Sequence, residues 1–196
     1  MANIQGLSAA NMTPCTPSMD AAREALSTYF GYEAFRQGQE VLIGAVLSGR
    51  DALGIMPTGA GKSLCYQIPG IVLPGLALVV SPLVSLMKDQ VNALIDAGVR
   101  GSFLNSTLTP GQQRTVLARA EAGTYKSCMW RLNVWPIRCF ESLRAAYEIP
   151  LIAVDGGPLR VAMGPRFPSC LYRHCRFHRK PAEATARHRA YCHGDR

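Results

Sequence analysis

Between Asp20 and Glu121 the apolar residues alternate between helical spacing and short unbroken runs. That alternation predicts helices interleaved with buried strands. Asp20 to Tyr29 and Arg36 to Leu47 read as helices, and Ala52 to Met56 and Leu76 to Ser81 as strands. Val84 to Ala97 reads as a helix stopping at Gly98, because glycine accepts the left-handed conformation of a helix end. Gly101 to Asn105 predicts a third strand, and Pro110 to Glu121 a helix with proline in its first turn. After Lys126 the pattern degrades, apart from Ile149 to Asp155, a short apolar strand ending in a carboxylate. Strands without polar alternation, separated by helices, indicate an α/β fold in which helices flank a parallel sheet. Residues 1–17 are rich in Ser, Thr, Asn and Pro and carry no such pattern, which predicts disorder.

Composition narrows the class. With 48% apolar and 17% charged residues the chain can bury a core, and 196 residues suffice for one domain and a tail. No apolar run approaches the ~18 residues of a membrane helix, and no basic start precedes an apolar stretch. The expectation is a cytoplasmic protein, nucleoid-associated if bacterial, with no membrane partner and with its seven cysteines reduced. The net charge of +8 suggests a polyanion partner until it is located. Residues 1–155 carry 12 Lys and Arg against 11 Asp and Glu, whereas residues 156–196 carry 9 against 2. The surplus belongs to the tail and gives no evidence for a nucleic-acid face on the folded part.

The sharpest chemical signal is Met56-Pro57-Thr58-Gly59-Ala60-Gly61-Lys62-Ser63, which follows an apolar strand and precedes a helical segment. That is the setting of a phosphate-binding loop. Glycines at 59 and 61 let the backbone turn its N–H groups inward, and the following helix adds the positive end of its dipole. Lys62 would reach the β- and γ-phosphates and Ser63 would ligate Mg²⁺. The strict pattern has glycine where this chain has Met56.

Flanking residues extend the signal. Upstream, Phe30, Gly31, Tyr32, Phe35, Arg36 and Gln39 form F-G-Y-x-x-F-R-x-x-Q; downstream run Val79-Val80-Ser81-Pro82-Leu83-Val84-Ser85-Leu86-Met87-Lys88-Asp89-Gln90-Val91 and Phe103-Leu104-Asn105-Ser106. In this order residues 20–126, and again 148–155, resemble the RecQ family of ATP-dependent DNA helicases. The resemblance implies part of a RecA-like ATP-binding domain from the N-terminal region of such a motor, with ATP, Mg²⁺ and DNA as ligands. It places Gln39 on adenine, with Tyr32 and Arg36 beside it. Thr58, Gly59, Gly61, Lys62 and Ser63 would hold the phosphates, Lys62 and Asp155 would serve hydrolysis, and Ser63 and Asp155 would hold magnesium. Ser81, Pro82, Ser85, Lys88, Asp89 and Gln90 would contact single-stranded DNA.

The departures from the family are equally specific. The resemblance calls for P-E-R-L, then D-E-A-H, then S-Q-W-G-x-D-F-R, and none is present; Gly156 stands where the water-activating glutamate belongs. Read from the third base of Lys126, however, the codons of Ser127 to Phe140 permit Y-V-A-P-E-R-L. From the second base of Gly156, those through Leu171 permit E-A-H followed by S-Q-W-G-Q-D-F-R. We therefore expect a frame disruption near Lys126 and another after Asp155. On that reading 18–155 is a partial helicase domain, and 156–196 is an irregular, basic, Cys/His-rich tail out of frame. Turnover is not expected without the glutamate and the second motor domain.

Cys170, His174, Cys175, His178, His188, Cys192 and His193 raise zinc as an alternative, but their spacing fits no familiar finger and few apolar residues surround them, so zinc is not expected. Two further classes remain beside the helicase fragment. One is a catalytically silent nucleotide- or DNA-binding module; the other is a small basic zinc-dependent nucleic-acid binder built on the tail.

Overall fold

The computed structural model describes residues 17–57, 59–131, 143–156 and 159–163. The chain opens with α1 (Met19–Phe30), capped by the Ser18 hydroxyl, which accepts from the Ala21 N–H at 3.1 Å. Next come α2 (Gln39–Leu47) and β1 (Ala52–Gly54), then α3 (Leu64–Val72) and β2 (Ala77–Ser81). The pattern repeats with α4 (Val84–Asp96), β3 (Gly101–Leu104) and α5 (Pro110–Glu121). Three strands follow: β4 (Ser127–Arg131), β5 (Leu151–Val154) and β6 (Leu159–Met163).

One six-stranded sheet has the order β1-β6-β5-β2-β4-β3. β5, β2, β4 and β3 pair in parallel, while β6 runs antiparallel to both β1 and β5. All five residues of β2 are buried, as expected for a central strand covered on both faces. One apolar cluster joins Tyr66, Val79, Met87, Met129, Leu151 and Val161; another packs α1, α2 and α3 together through Ala22, Leu26, Ile43 and Ile68.

The helices keep close to their expected bounds because their stop signals are local. Gly98 ends α4 at φ 86°, and Thr109 with Gln112 forms a reciprocal capping box at the start of α5. α2 begins three residues later than its hydrophobic spacing suggests. Gly38 adopts φ 91° immediately before it, which breaks the helix and leaves Arg36 in a turn.

Two strands contradict the sequence expectation. β4 lies where the pattern was expected to fail, yet it pairs on both sides and buries Ser127, Cys128, Met129 and Trp130. It lacks β-branched residues, and because both of its faces are covered it has no alternation to detect. The sheet also continues past Asp155 into β6, beyond the expected edge of the tail. The disorder expected for residues 1–17 falls, except for Pro17, outside the described residues. So do the tail beyond Met163 and all seven of its metal-ligand candidates.

Trp130 is the largest fully buried side chain among the described residues, and its indole N–H donates to Cys128 Sγ at 2.9 Å. Burial pushes the Cys128 thiol up to about 12, so it remains neutral. Trp130→Ala is expected to destabilise the fold by about 3–5 kcal/mol, a large share of a domain's stability. Denaturant unfolding checks this; a loss under about 1 kcal/mol would remove Trp130 from the core.

Candidate nucleotide and DNA site

Three chain reversals meet at one edge of the sheet, because β1, β2 and β5 point the same way. The phosphate loop leaves β1, Ser81-Pro82 leaves β2, and Asp155 leaves β5. The carboxyl ends of parallel strands, where the order of connections reverses, are the usual ligand crevice of such sheets.

Gly59 and Gly61 have φ of 83° and 73°, a region that side chains with a Cβ rarely adopt. Behind them, the Gln39 carboxamide is buried and its Nε2 donates to Ala60 O and Gly61 O, both at 3.0 Å. Its Oε1 accepts from the Arg36 N–H at 2.9 Å, and Arg36 Nη1 donates to Gly59 O at 2.7 Å. Carbonyl and following N–H point oppositely across a trans peptide, so pinning these carbonyls turns the amides of Gly61 and Lys62 away from Gln39. The loop is thereby shaped from behind by the two residues upstream of it. The Leu64, Cys65 and Tyr66 amides bond to the carbonyls of Gly61, Lys62 and Ser63, which tightens the start of α3.

The methionine in place of the first glycine has a packing reason. Met56 lies against the core, with Cys65 Sγ 3.8 Å from its sulfur. A cleft of about 510 Å³ opens between the 36–38 turn and the loop, lined by Arg36, Gly38, Ile55, Met56, Pro57 and Ala60 among others.

On the far side of the loop, Tyr66 is buried in the first turn of α3. Its hydroxyl lies 3.1 Å from Asp155 Oδ2 and 3.1 Å from Gln90 Oε1, and the Ser63 hydroxyl interacts with it as well. Ser63 and Asp155 thus converge, giving the hard oxygen donors that suit Mg²⁺. Tyr66 escaped the sequence reading; its only signal was an aromatic hydroxyl inside an apolar run after the loop.

The other expected residues separate. Pro82, Ser85, Lys88 and Asp89 are exposed on and before the first turns of α4, and Gln90 turns half inward. Ser81 is buried instead, its Oγ accepting from the Leu83 N–H at 3.3 Å in a tight turn that leaves its own O–H proton uncommitted. Tyr32 is exposed and does not line the cleft, and Thr58 lies outside the described residues. Gly156 has no room for a side chain, because a Cβ there would stand 2.6 Å from Pro82. Among the described residues, no three His, Cys, Asp or Glu side chains cluster as a metal site, and no helix is long and apolar enough to cross a membrane.

A phosphate loop after an edge strand, buttressed by an upstream Arg and Gln and faced by an acidic strand end, defines a P-loop domain of helicase type. Residues 36–130 match the DEAD/DEAH box helicase family. Similar proteins include two named ATP-dependent DNA helicase RecQ, from Pasteurella multocida and Haemophilus influenzae. They are 50% and 52% identical over 139 and 134 residues, covering 71% and 68% of this chain. A Bacillus subtilis protein of the same name is 41% identical over 137 residues, 68% of the chain. Over this segment the chain is similar to the RecQ helicases. The aligned part spans only 22% to 23% of the length of those three relatives.

Proposed function

We propose that this chain is the nucleotide-binding part of a RecQ-type ATP-dependent DNA helicase, and that it binds ATP with Mg²⁺ while lacking turnover of its own. The observation that carries the reading is the convergence of Ser63 and Asp155 beside a loop whose backbone Arg36 and Gln39 hold in place. The loop amides and Lys62 receive the phosphates, Ser63 and Asp155 offer oxygens to magnesium, and the base enters the cleft beside Arg36 and Gly38, in front of the buried Gln39. When bound, the metal neutralises phosphate charge; the protein's own part is to position and to exclude water. With both Nε2 hydrogens and one Oε1 lone pair of Gln39 engaged, one acceptor position remains, on a buried side chain that the loop must uncover before a base can reach it. It suits the adenine amino group and not the guanine carbonyl, so ATP should bind more tightly than GTP in a competition titration with a fluorescent nucleotide. Equal affinity for both would remove Gln39 from base recognition.

Single-stranded DNA is assigned to the exposed face of α4, Pro82, Ser85, Lys88 and Asp89, with Gln90 at its inner margin. The frame-disruption reading forms part of this proposal, with one refinement: β4 and β6 enter the sheet, so residues encoded past each suspected break are apolar enough to pair.

Non-specific affinity for DNA should nevertheless reside in the tail. Deleting residues 164–196 keeps β6 and removes 8 Lys and Arg against 2 Asp and Glu. Fluorescence anisotropy with a single-stranded oligonucleotide should show weaker binding and a salt slope reduced by about 0.7 per lost phosphate contact. Unchanged affinity and slope would place the binding in the core.

A further inference from the structure

One buried hydroxyl touches the machinery assigned to both ligands. Tyr66 is 1% exposed, and its oxygen sits between Asp155 Oδ2 on the nucleotide side and the Gln90 carboxamide of α4. A tyrosine hydroxyl has a single proton, so it cannot donate fully to a carboxylate and a carboxamide oxygen together. With the Ser63 hydroxyl donating to the tyrosine oxygen, two arrangements satisfy the other three groups. In one, Tyr66 donates to Asp155, the stronger acceptor, and Gln90 turns its carboxamide by half a revolution to donate an N–H to the tyrosine oxygen. In the other, Tyr66 donates to Gln90 Oε1 and releases Asp155 Oδ2. Burial, reinforced by the neighbouring Asp155 charge, raises the tyrosine pKa, so the proton stays on the ring oxygen in either arrangement.

The orientation of one carboxamide therefore decides whether the carboxylate is held. Gln90 is half-buried, and it directly follows the exposed Lys88 and Asp89 on the same helix. Gln90 points about 100° round the helix from Asp89, at the margin between the exposed face and the core, and Tyr66 contacts its carboxamide from within.

We propose that Tyr66 is a positioning residue that couples the DNA face of α4 to the magnesium–nucleotide site through the chain Gln90, Tyr66, Asp155. The inference rests on the functional reading above. It has a thermodynamic signature: each ligand changes the affinity of the other by the same factor.

The test uses the full chain. A fluorescent methylanthraniloyl-ADP is titrated with Mg²⁺, with and without a saturating single-stranded oligonucleotide. The wild-type ratio of the two dissociation constants should differ from one by about fivefold or more. Tyr66→Phe keeps the ring and loses only the hydroxyl. It should still bind each ligand alone, with the ratio falling to within about twofold of one. A general packing defect would weaken both affinities and leave the ratio in place. Gln90→Met, which leaves the core hydroxyl intact, should collapse the ratio from the other end and decides the matter should Tyr66→Phe not fold. Retention of the wild-type ratio in either folded variant, or no coupling in the wild type, overturns the proposal. A wild-type chain that binds neither ligand sinks the functional reading itself, which is a distinct result.

Discussion

Lys62→Ala should abolish measurable ATP binding. The lysine is half-buried on a loop whose two glycines occupy left-handed conformations and whose carbonyls are held by Arg36 and Gln39. A positive charge so placed is pre-organised for phosphate, and its entropy of ordering is largely met before the ligand arrives. Removing one member of a close, partly desolvated charge pair costs about 2–5 kcal/mol, or roughly 30- to 4,000-fold in affinity. The substitution removes a side chain from the loop without touching either apolar cluster, so circular dichroism and melting should change little. Titration of a fluorescent ATP analogue provides the check. Equal affinity for wild type and variant would sink the phosphate-loop assignment.

Restoring the reading frame at both suspected breaks should produce the second large effect, an ATPase stimulated by single-stranded DNA. Asp155 is in place at the end of β5, held by the Tyr66 hydroxyl and by its own N–H to Val80 O at 2.8 Å. The described residue that follows it offers no group to orient and deprotonate water. Gly156 can do neither, and loss of a general base typically lowers the rate by ~10²–10⁴. The nucleotide sequence around the codons for Lys126 and Asp155 is the first observation to make. It should yield P-E-R-L, D-E-A-H and the aromatic loop in uninterrupted order in the neighbouring frames. Phosphate release by the restored product, with and without oligonucleotide, is the second. A gene whose neighbouring frames carry no helicase-like continuation, or a restored chain without ATPase activity, would falsify the frame account.

The sequence made some parts of this architecture legible and hid others for identifiable reasons. α4 and α5 could be read to within a residue because their ends depend on Gly98, Thr109 and Pro110, and such signals act locally. The phosphate loop was legible because its two glycines have no substitute at positive φ. β4 was not, since a strand buried on both faces shows neither alternation nor a helical spacing, and Ser-Cys-Met-Trp-Arg has weak β-propensity. β6 begins only a few residues after Asp155, and its place in the sheet depends on pairing with β1, far away in sequence. At the site, motif reading gathered Arg36, Gln39, Ser63 and Asp155 but not the hydroxyl joining two of them. Nor did it show that the Ser81 side chain is buried and accepts from the Leu83 N–H in the turn that ends β2. Neither detail is carried by spacing: the tyrosine contacts are tertiary, and the Ser81 turn is a local bond between residues two apart.

The contact between Gly156 and Pro82 sets the order in which a functional chain could be recovered by mutation. A side chain at 156 meets the proline ring at 2.6 Å, so Gly156→Glu must displace the turn between β2 and α4 before its carboxylate can face water. That turn carries the helix assigned to DNA, and the new glutamate would disturb the one motif while completing the other. Gain at one position thus comes with loss at a neighbour, a form of sign epistasis that closes the single-step path. Recovery requires the turn after β2 to yield as the segment after β5 changes, because Pro82 lies upstream of both suspected breaks and stays in place when the frame is restored.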